Sequence, residues 1–168
     1  MKFETYTSTL VSSTLVLFLG LLYSCSAQET GGYPKHYKTV ESQSFAAGDT
    51  LVIEYLFELD GLKIGPSEWA SSLYSFLSKH PEFDYVIVCH TDARGSEEAN
   101  AELSTKRAER IKNEMVELGF PADRLRALGK GESDPVIKEE TIAQLKTKEE
   151  KEKAHQLNRR TELILIKP

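Results

Sequence analysis

One stretch limits what this chain can fold into more than any other. Asp84-Tyr85-Val86-Ile87-Val88-Cys89 is short, apolar and β-branched, the pattern of a buried strand. It delivers His90-Thr91-Asp92 at its C-terminal end, and Gly95 then turns the chain. Ser96 is placed to cap a helix, with Glu97 and Glu98 in the first turn, where carboxylates suit the positive end of the helix dipole. That helix is expected to reach Leu118 and stop at Gly119. At about 100° per residue, Leu103, Ile111, Met115 and Leu118 share a face with Asn100 and Arg107. An amide and a guanidinium thus interrupt the apolar side of an amphipathic helix, in the half nearest Asp92. A buried guanidinium is costly without an anionic partner, so Arg107 calls for one. Asp92 is one candidate and a ligand carboxylate is another.

These residues, with others further along, carry a resemblance. His90-Thr91-Asp92-x-x-Gly95, Asn100, Leu103-Ser104-x-x-Arg107-Ala108, Gly129-x-Gly131-Glu132 and Asn158-Arg159-Arg160-Thr161-Glu162 occur in order over roughly residues 47 to 168. Together they resemble the OmpA-like peptidoglycan-binding domain of outer-membrane proteins, peptidoglycan-associated lipoproteins and flagellar stator proteins. The resemblance implies a non-covalent clamp on the stem peptide of the cell wall, with no catalysis and no cofactor. Asp92 and Arg107 match the family's Asp and Arg that hold the ammonium and carboxylate ends of a diaminopimelate residue. That chemistry is sound, since an Arg fork grips a carboxylate through two parallel hydrogen bonds and an Asp accepts from an ammonium. Asn100 and Asp60 are expected to orient the ligand, Thr91 and Leu103 to line the pocket, and Arg160 to touch the ligand at the sheet edge. The plainer alternatives are that Asp92 and Arg107 satisfy each other, that Asp60 only serves the turn before Gly61, and that Asn158-Arg159-Arg160 makes surface ion pairs. The chain departs from the family at Cys89, where a Gly is common, and in the charged stretch before Asn158.

The 168 residues allow one domain of about 120 residues and an export segment. A net charge of -5, with Lys and Arg dispersed among Glu, argues against nucleic acid as partner. Cys25 and Cys89 are the two cysteines, too few for a disulfide framework. Residues 10 to 22 form an apolar run behind Lys2, shorter than the roughly 20 residues of a membrane span and suited to the core of a signal peptide. Leu22-Tyr23-Ser24-Cys25 resembles a lipobox, though Tyr23 departs from its usual small or aliphatic residue; the rival is cleavage after Ala27. The expected organisation is a lipoprotein-type signal peptide over 1–24, a flexible tether over 25–46 and the OmpA-like domain over 47–168. The chain would then sit at the periplasmic face of the outer membrane, held by lipid on Cys25 and by peptidoglycan, within reach of other envelope proteins.

The expected fold class is α/β (α+β in looser usage), running β-α-β-α-β, an inserted helix and a last strand, with a mixed four-stranded sheet and helices mainly on one face. Residues 49–59 alternate as a first strand, and Gly65-Pro66 opens a helix whose Trp69, Leu73, Phe76 and Leu77 form one core-facing stripe. A short strand over 124–128, a loop over 129–135, a solvated charged helix over 138–157 and a strand over 161–166 complete it. Two other functions compete with wall binding. One is a soluble periplasmic scaffold or complex-forming domain on the same fold. The other is a hydrolase using His90 and Asp92, which share a strand face as i and i+2; catalytic zinc usually needs three protein ligands, and no third is spaced to join them.

Overall fold

The structure is a computed structural model that describes residues 37–38, 42, 44–53 and 68–168. Asp60, Cys25, the apolar run at 10–22 and the Gly65-Pro66 start lie outside these residues. The described elements are β1 (Tyr37–Lys38), β2 (Thr50–Ile53), α1 (Glu68–Lys79), β3 (Asp84–His90), α2 (Glu97–Glu117), a 3-10 turn (Ala122–Arg124), β4 (Leu125–Gly131), α3 (Glu139–Ala143), α4 (Lys148–Asn158) and β5 (Thr161–Ile166). The strands make one mixed sheet in the order β1-β2-β5-β3-β4. β5 is antiparallel to β2 and β3, whereas β3 and β4 are parallel, joined by the α2 crossover.

Period-two alternation decides what β3 buries on each side. Tyr85, Ile87 and Cys89 enter one core with Leu51, Leu163 and Leu165, roofed by Leu73, Phe76 and Leu77 of α1 and by Ala108, Ile111 and Met115 of α2. Val88 and His90 are buried on the opposite face. Each Leu, Ile, Met or Phe side chain among these contributes about 1.5–3 kcal/mol on leaving water, so this shared layer is what fixes the two helices on the sheet. Trp69 packs against the same core.

The α2 boundaries follow their sequence signals. The Ser96 hydroxyl accepts from the Ala99 amide at 3.2 Å. At the other end Gly119 takes φ +99°, and its N–H and that of Phe120 reach back to Val116 and Met115 carbonyls, both at 2.9 Å, which is a Schellman closure. The expected stripe is corrected at one end: Leu118 is 44% exposed, because it stands at the cap where the helix has already ended, while Leu103 is half-buried. The buried positions are Asn100, Ser104, Arg107, Ala108, Ile111 and Met115.

Three further differences have local causes. The sheet has five strands because Tyr37–Lys38, within the stretch expected to be tether, pairs parallel with Thr50 and Leu51; a two-residue strand is too short to show alternation. β4 runs on through Gly129 to Gly131 because Cys89 and His90 of β3 pair with these two residues, and glycine stands at 129 because a Cβ there would meet the Thr105 backbone of α2. Here glycine marks an approach of backbones, not a loop. The charged stretch is two helices, not one, since Thr147 starts α4 with a reciprocal capping box to Glu150.

Candidate functional site

Three strand ends meet where β3 finishes. The His90 amide donates to the Arg160 carbonyl at 2.9 Å, and the Thr91 amide to the Gly131 carbonyl at 2.9 Å. The register of β3 on β4 slips between Cys89 and His90, leaving Lys130 as an extra residue on β4, a bulge of the kind that re-aims a strand end. Asn100, in the first turn of α2, donates to the carbonyls of Asp92 and Arg94 at 3.1 and 3.2 Å and to Glu132 Oε2 at 2.5 Å. Ser104 receives the Gly131 amide at 2.8 Å. The first half of α2 is thereby fastened to the ends of both β3 and β4. Beside these ends lies an open pocket of about 450 Å³, lined by Thr91, Ala93, Glu132, Lys138, Glu139 and Asn158 among others. The Thr91 hydroxyl is buried without a hydrogen-bond partner among the described residues.

Among the described residues, Asp92 is met by Arg94 and Arg159. Its Oδ2 receives Arg94 Nε at 3.1 Å, Arg94 Nη2 at 2.6 Å and Arg159 Nη1 at 2.5 Å, and its Oδ1 receives the Arg94 backbone amide at 3.1 Å. Burial pushes this carboxyl up, but the hydrogen bonds from Arg94 and Arg159 more than reverse that and hold it below the ordinary aspartate range. The same two guanidiniums also meet Glu152, Arg94 Nη1 at 3.0 Å and Arg159 Nη2 at 2.7 Å.

Arg107 is 5% exposed and lies near the Cys89 end of β3. Burial lifts the Cys89 thiol to about 11, opposed by a hydrogen bond with Thr161 Oγ1 at 3.5 Å and by the Arg107 charge. Such a thiol is a core hydrophobe and no nucleophile. Arg160 is turned inward: its Nε donates to Glu162 Oε1 at 2.6 Å and its Nη1 to the Asp134 carbonyl at 3.0 Å. Glu162 also accepts from Tyr37 Oη at 2.6 Å, and His90 Nε2 lies 3.5 Å from it. Burial raises the Glu162 carboxyl, yet these donors and the Arg160 charge bring it down to about 2.

The structure therefore groups Thr91, Asp92 and Asn100 at one strand end, with Arg107 two turns further along the helix whose first turn holds Asn100, and Leu103 half-buried between them. Sequence reasoning missed Arg94, Glu152 and Glu132 as members of this group, whereas Arg159 pairs with Glu152 of the preceding helix, the ion-pairing alternative named for Asn158-Arg159-Arg160. Two spacings carried a signal: Asp92 and Arg94 flank a single residue at a turn, and Glu152 and Arg159 stand two helical turns apart. The charged stretch, expected to be only a solvated surface, supplies one member of the ion-pair group. Among the described residues no group of three or more His, Cys, Asp or Glu side chains could hold a metal ion, and no helix is long and apolar enough to cross a membrane.

The fold has known counterparts. The structure matches a MotB-like protein from Desulfovibrio vulgaris with a TM-score of 0.57 at 23% identity, over 71% of this chain and 75% of that one. It matches the peptidoglycan-associated lipoprotein from Burkholderia pseudomallei with 0.52 at 24% identity, over 66% and 87%. The cell wall anchor of the T6SS from Pseudomonas aeruginosa gives 0.55 at 20% identity, over 71% and 81%. In sequence, outer membrane protein A of Klebsiella aerogenes is 37% identical over 91 residues, 52% of this chain and 26% of that protein. Outer membrane porin F of Pseudomonas fluorescens is 31% identical over 93 residues, 54% of this chain and 28% of that protein. The match spans only about a quarter of these relatives' length. The OmpA family model covers residues 63–149, from before α1 through the β3-α2-β4 crossover into α4, and this chain belongs to the OmpA family.

Proposed function

We propose that this chain binds peptidoglycan non-covalently through the diaminopimelate stem peptide and tethers the outer membrane to the cell wall. The observation that carries this reading is the placement of Thr91, Asp92 and Asn100 together at the end of β3, beside an open pocket, in a chain of the OmpA family. Two proteins of the same fold are described as a peptidoglycan-associated lipoprotein and as a cell wall anchor. In this reading Arg107 takes the ligand carboxylate. Asp92 takes the ammonium on Oδ1, which accepts one hydrogen bond among the described residues and has room for another. Thr91 and Leu103 line the pocket, and Asn100 and Asp60 orient the ligand. Arg160 acts from behind, through its bonds to Glu162 and Asp134. Residues 1–24 are the signal peptide, Cys25 carries the lipid, and the chain works at the periplasmic face of the outer membrane, alone or with other envelope proteins. Nothing in the reading requires turnover.

Insoluble peptidoglycan sacculi test it. The full chain should sediment with them, and Asp92→Ala and Arg107→Ala should each release it while far-ultraviolet circular dichroism shows the fold retained. Undiminished sedimentation of the double variant would overturn the clamp.

A further inference from the structure

Asp92, Arg94, Glu152 and Arg159 close into a ring of alternating charge, every neighbouring pair in contact at 2.5–3.0 Å. Its two carboxylates are unlike. The Asp92 side chain is 7% exposed and the Glu152 side chain 47%. Asp92 takes three guanidinium N–H groups on a single oxygen. Removing it would strand two cations in a partly buried place, which is costly. Glu152 lies on the open side and gives one oxygen to each arginine, Oε2 to Arg94 and Oε1 to Arg159. Exposed ion pairs of this kind contribute little, so this carboxylate is the one that an incoming anion can replace.

We propose that Arg94 and Arg159 form a binding site for a carboxylate of the ligand, and that Glu152 occupies that site until the ligand displaces it. Asp92 holds the two guanidiniums side by side in both states. Glu152 can swing away by a change of rotamer while α4 stays in place. That helix is fixed at one end by the Thr147 capping box and at the other by Asn158, whose amide exchanges hydrogen bonds with the Ile137 backbone at 2.9 and 2.7 Å. The pocket begins one residue from each arginine, since Ala93 precedes Arg94 and Asn158 precedes Arg159 and both line it. Its acidic lining, Glu132, Glu139 and Glu140 against Lys138, suits a cationic group, which leaves the anionic end of a zwitterion for the arginines. The identity of the natural ligand rests on the wall-binding reading above: it is a second stem-peptide carboxylate, other than the one assigned to Arg107.

The probe is N-acetyl-D-alanine, with its neutral amide as control, titrated into the full chain while the Arg94 and Arg159 Nε–Hε resonances are followed by NMR. Glu152→Gln should bind the probe about two- to tenfold more tightly than the parent, the range expected from removing two weak competing pairs. Adding Arg159→Gln to that variant should abolish the gain, and the neutral amide should move neither resonance. Equal or weaker binding by Glu152→Gln, no response in either chain, or a gain that survives Arg159→Gln overturns the proposal. Sacculus sedimentation of the same variants separates the two readings. A parent that sediments, with Glu152→Gln no tighter on the probe, leaves wall binding standing and removes the Glu152 site. A probe gain in chains that never sediment leaves the carboxylate site standing and removes wall binding.

Discussion

Arg159 Nη1 stands 2.5 Å from Asp92 Oδ2, a contact that spans 67 residues and ties the turn before β5 to the end of the neighbouring strand β3. Neither side chain is fully in water, at 18% and 7% exposure. The pair therefore acts on folding as well as on the site.

Asp92→Asn keeps the shape of the side chain and removes the charge that two guanidiniums share. The folded state should lose about 1–3 kcal/mol, read as a lower urea midpoint at neutral pH with an unchanged slope. A midpoint equal to that of the parent would show that the ring adds nothing to stability.

Sacculus retention should fall as salt rises from about 0.05 M to about 0.5 M, because ion pairs at a partly open site are screened over roughly 10 Å or less. A neutral osmolyte at matched osmolarity should leave retention unchanged. Salt-insensitive retention would count against a charge clamp.

Gly129→Ala introduces a Cβ 2.2 Å from Thr105 N and 2.5 Å from Thr105 Cα, both backbone atoms of α2. No rotamer change relieves that, so helix and strand must part. The cost should be about 2–4 kcal/mol, at or above the usual range for overpacking, visible as a drop in melting temperature. Leu128→Ala, one residue earlier and 45% exposed, is the control and should change little.

Glu162 has an ordinary value of 4.5 and is brought to about 2 in the fold. A depressed carboxylate stabilises the folded state fully above its unfolded value, and that contribution is lost as pH falls from 4.5 toward 2. With allowance for solvent screening it amounts to about 1–2 kcal/mol. Glu162→Gln should therefore be less stable than the parent at neutral pH and should show a flatter acid limb between these values. Asp92 and Glu152 are depressed as well, so part of the limb should remain. A parallel acid limb in the variant would remove Glu162 as its source.

If Cys25 is the lipid-bearing residue, mass spectrometry of the mature chain should find its N-terminus at a diacylated or triacylated Cys25. An unmodified start at Gln28 would instead favour the soluble periplasmic form.

The sequence was most informative where short-range chemistry decides the outcome. Ser96, Gly119 and the alternation of Tyr85, Ile87 and Cys89 each specify one local geometry, and each adopts it. It was least informative where backbone or charge meets across long intervals. Arg94 meets Glu152 across 58 residues, and composition presents both as ordinary surface charge. Gly129 reads as loop until α2 is laid over it, and Tyr37–Lys38 has no pattern of its own until β2 provides an edge. Asn100 was legible as a polar break in an apolar face, but its partners at Asp92, Arg94 and Glu132 follow only from the way β3, α2 and β4 converge.

The Tyr37 hydroxyl, 2.6 Å from Glu162, gives the fold a mechanical property. Force applied to the chain on the N-terminal side of β1 loads the parallel β1-β2 pairing in shear and crosses to β5 through that phenol. From Glu162 it continues to Arg160, whose carbonyl holds the His90 amide at the threshold of the site. On the proposed function, with an anchored N-terminus and a ligand at Asp92, a pull between the two would enter through the two-residue β1-β2 pairing and the Tyr37–Glu162 bond and then run through the middle of the sheet along bonded groups.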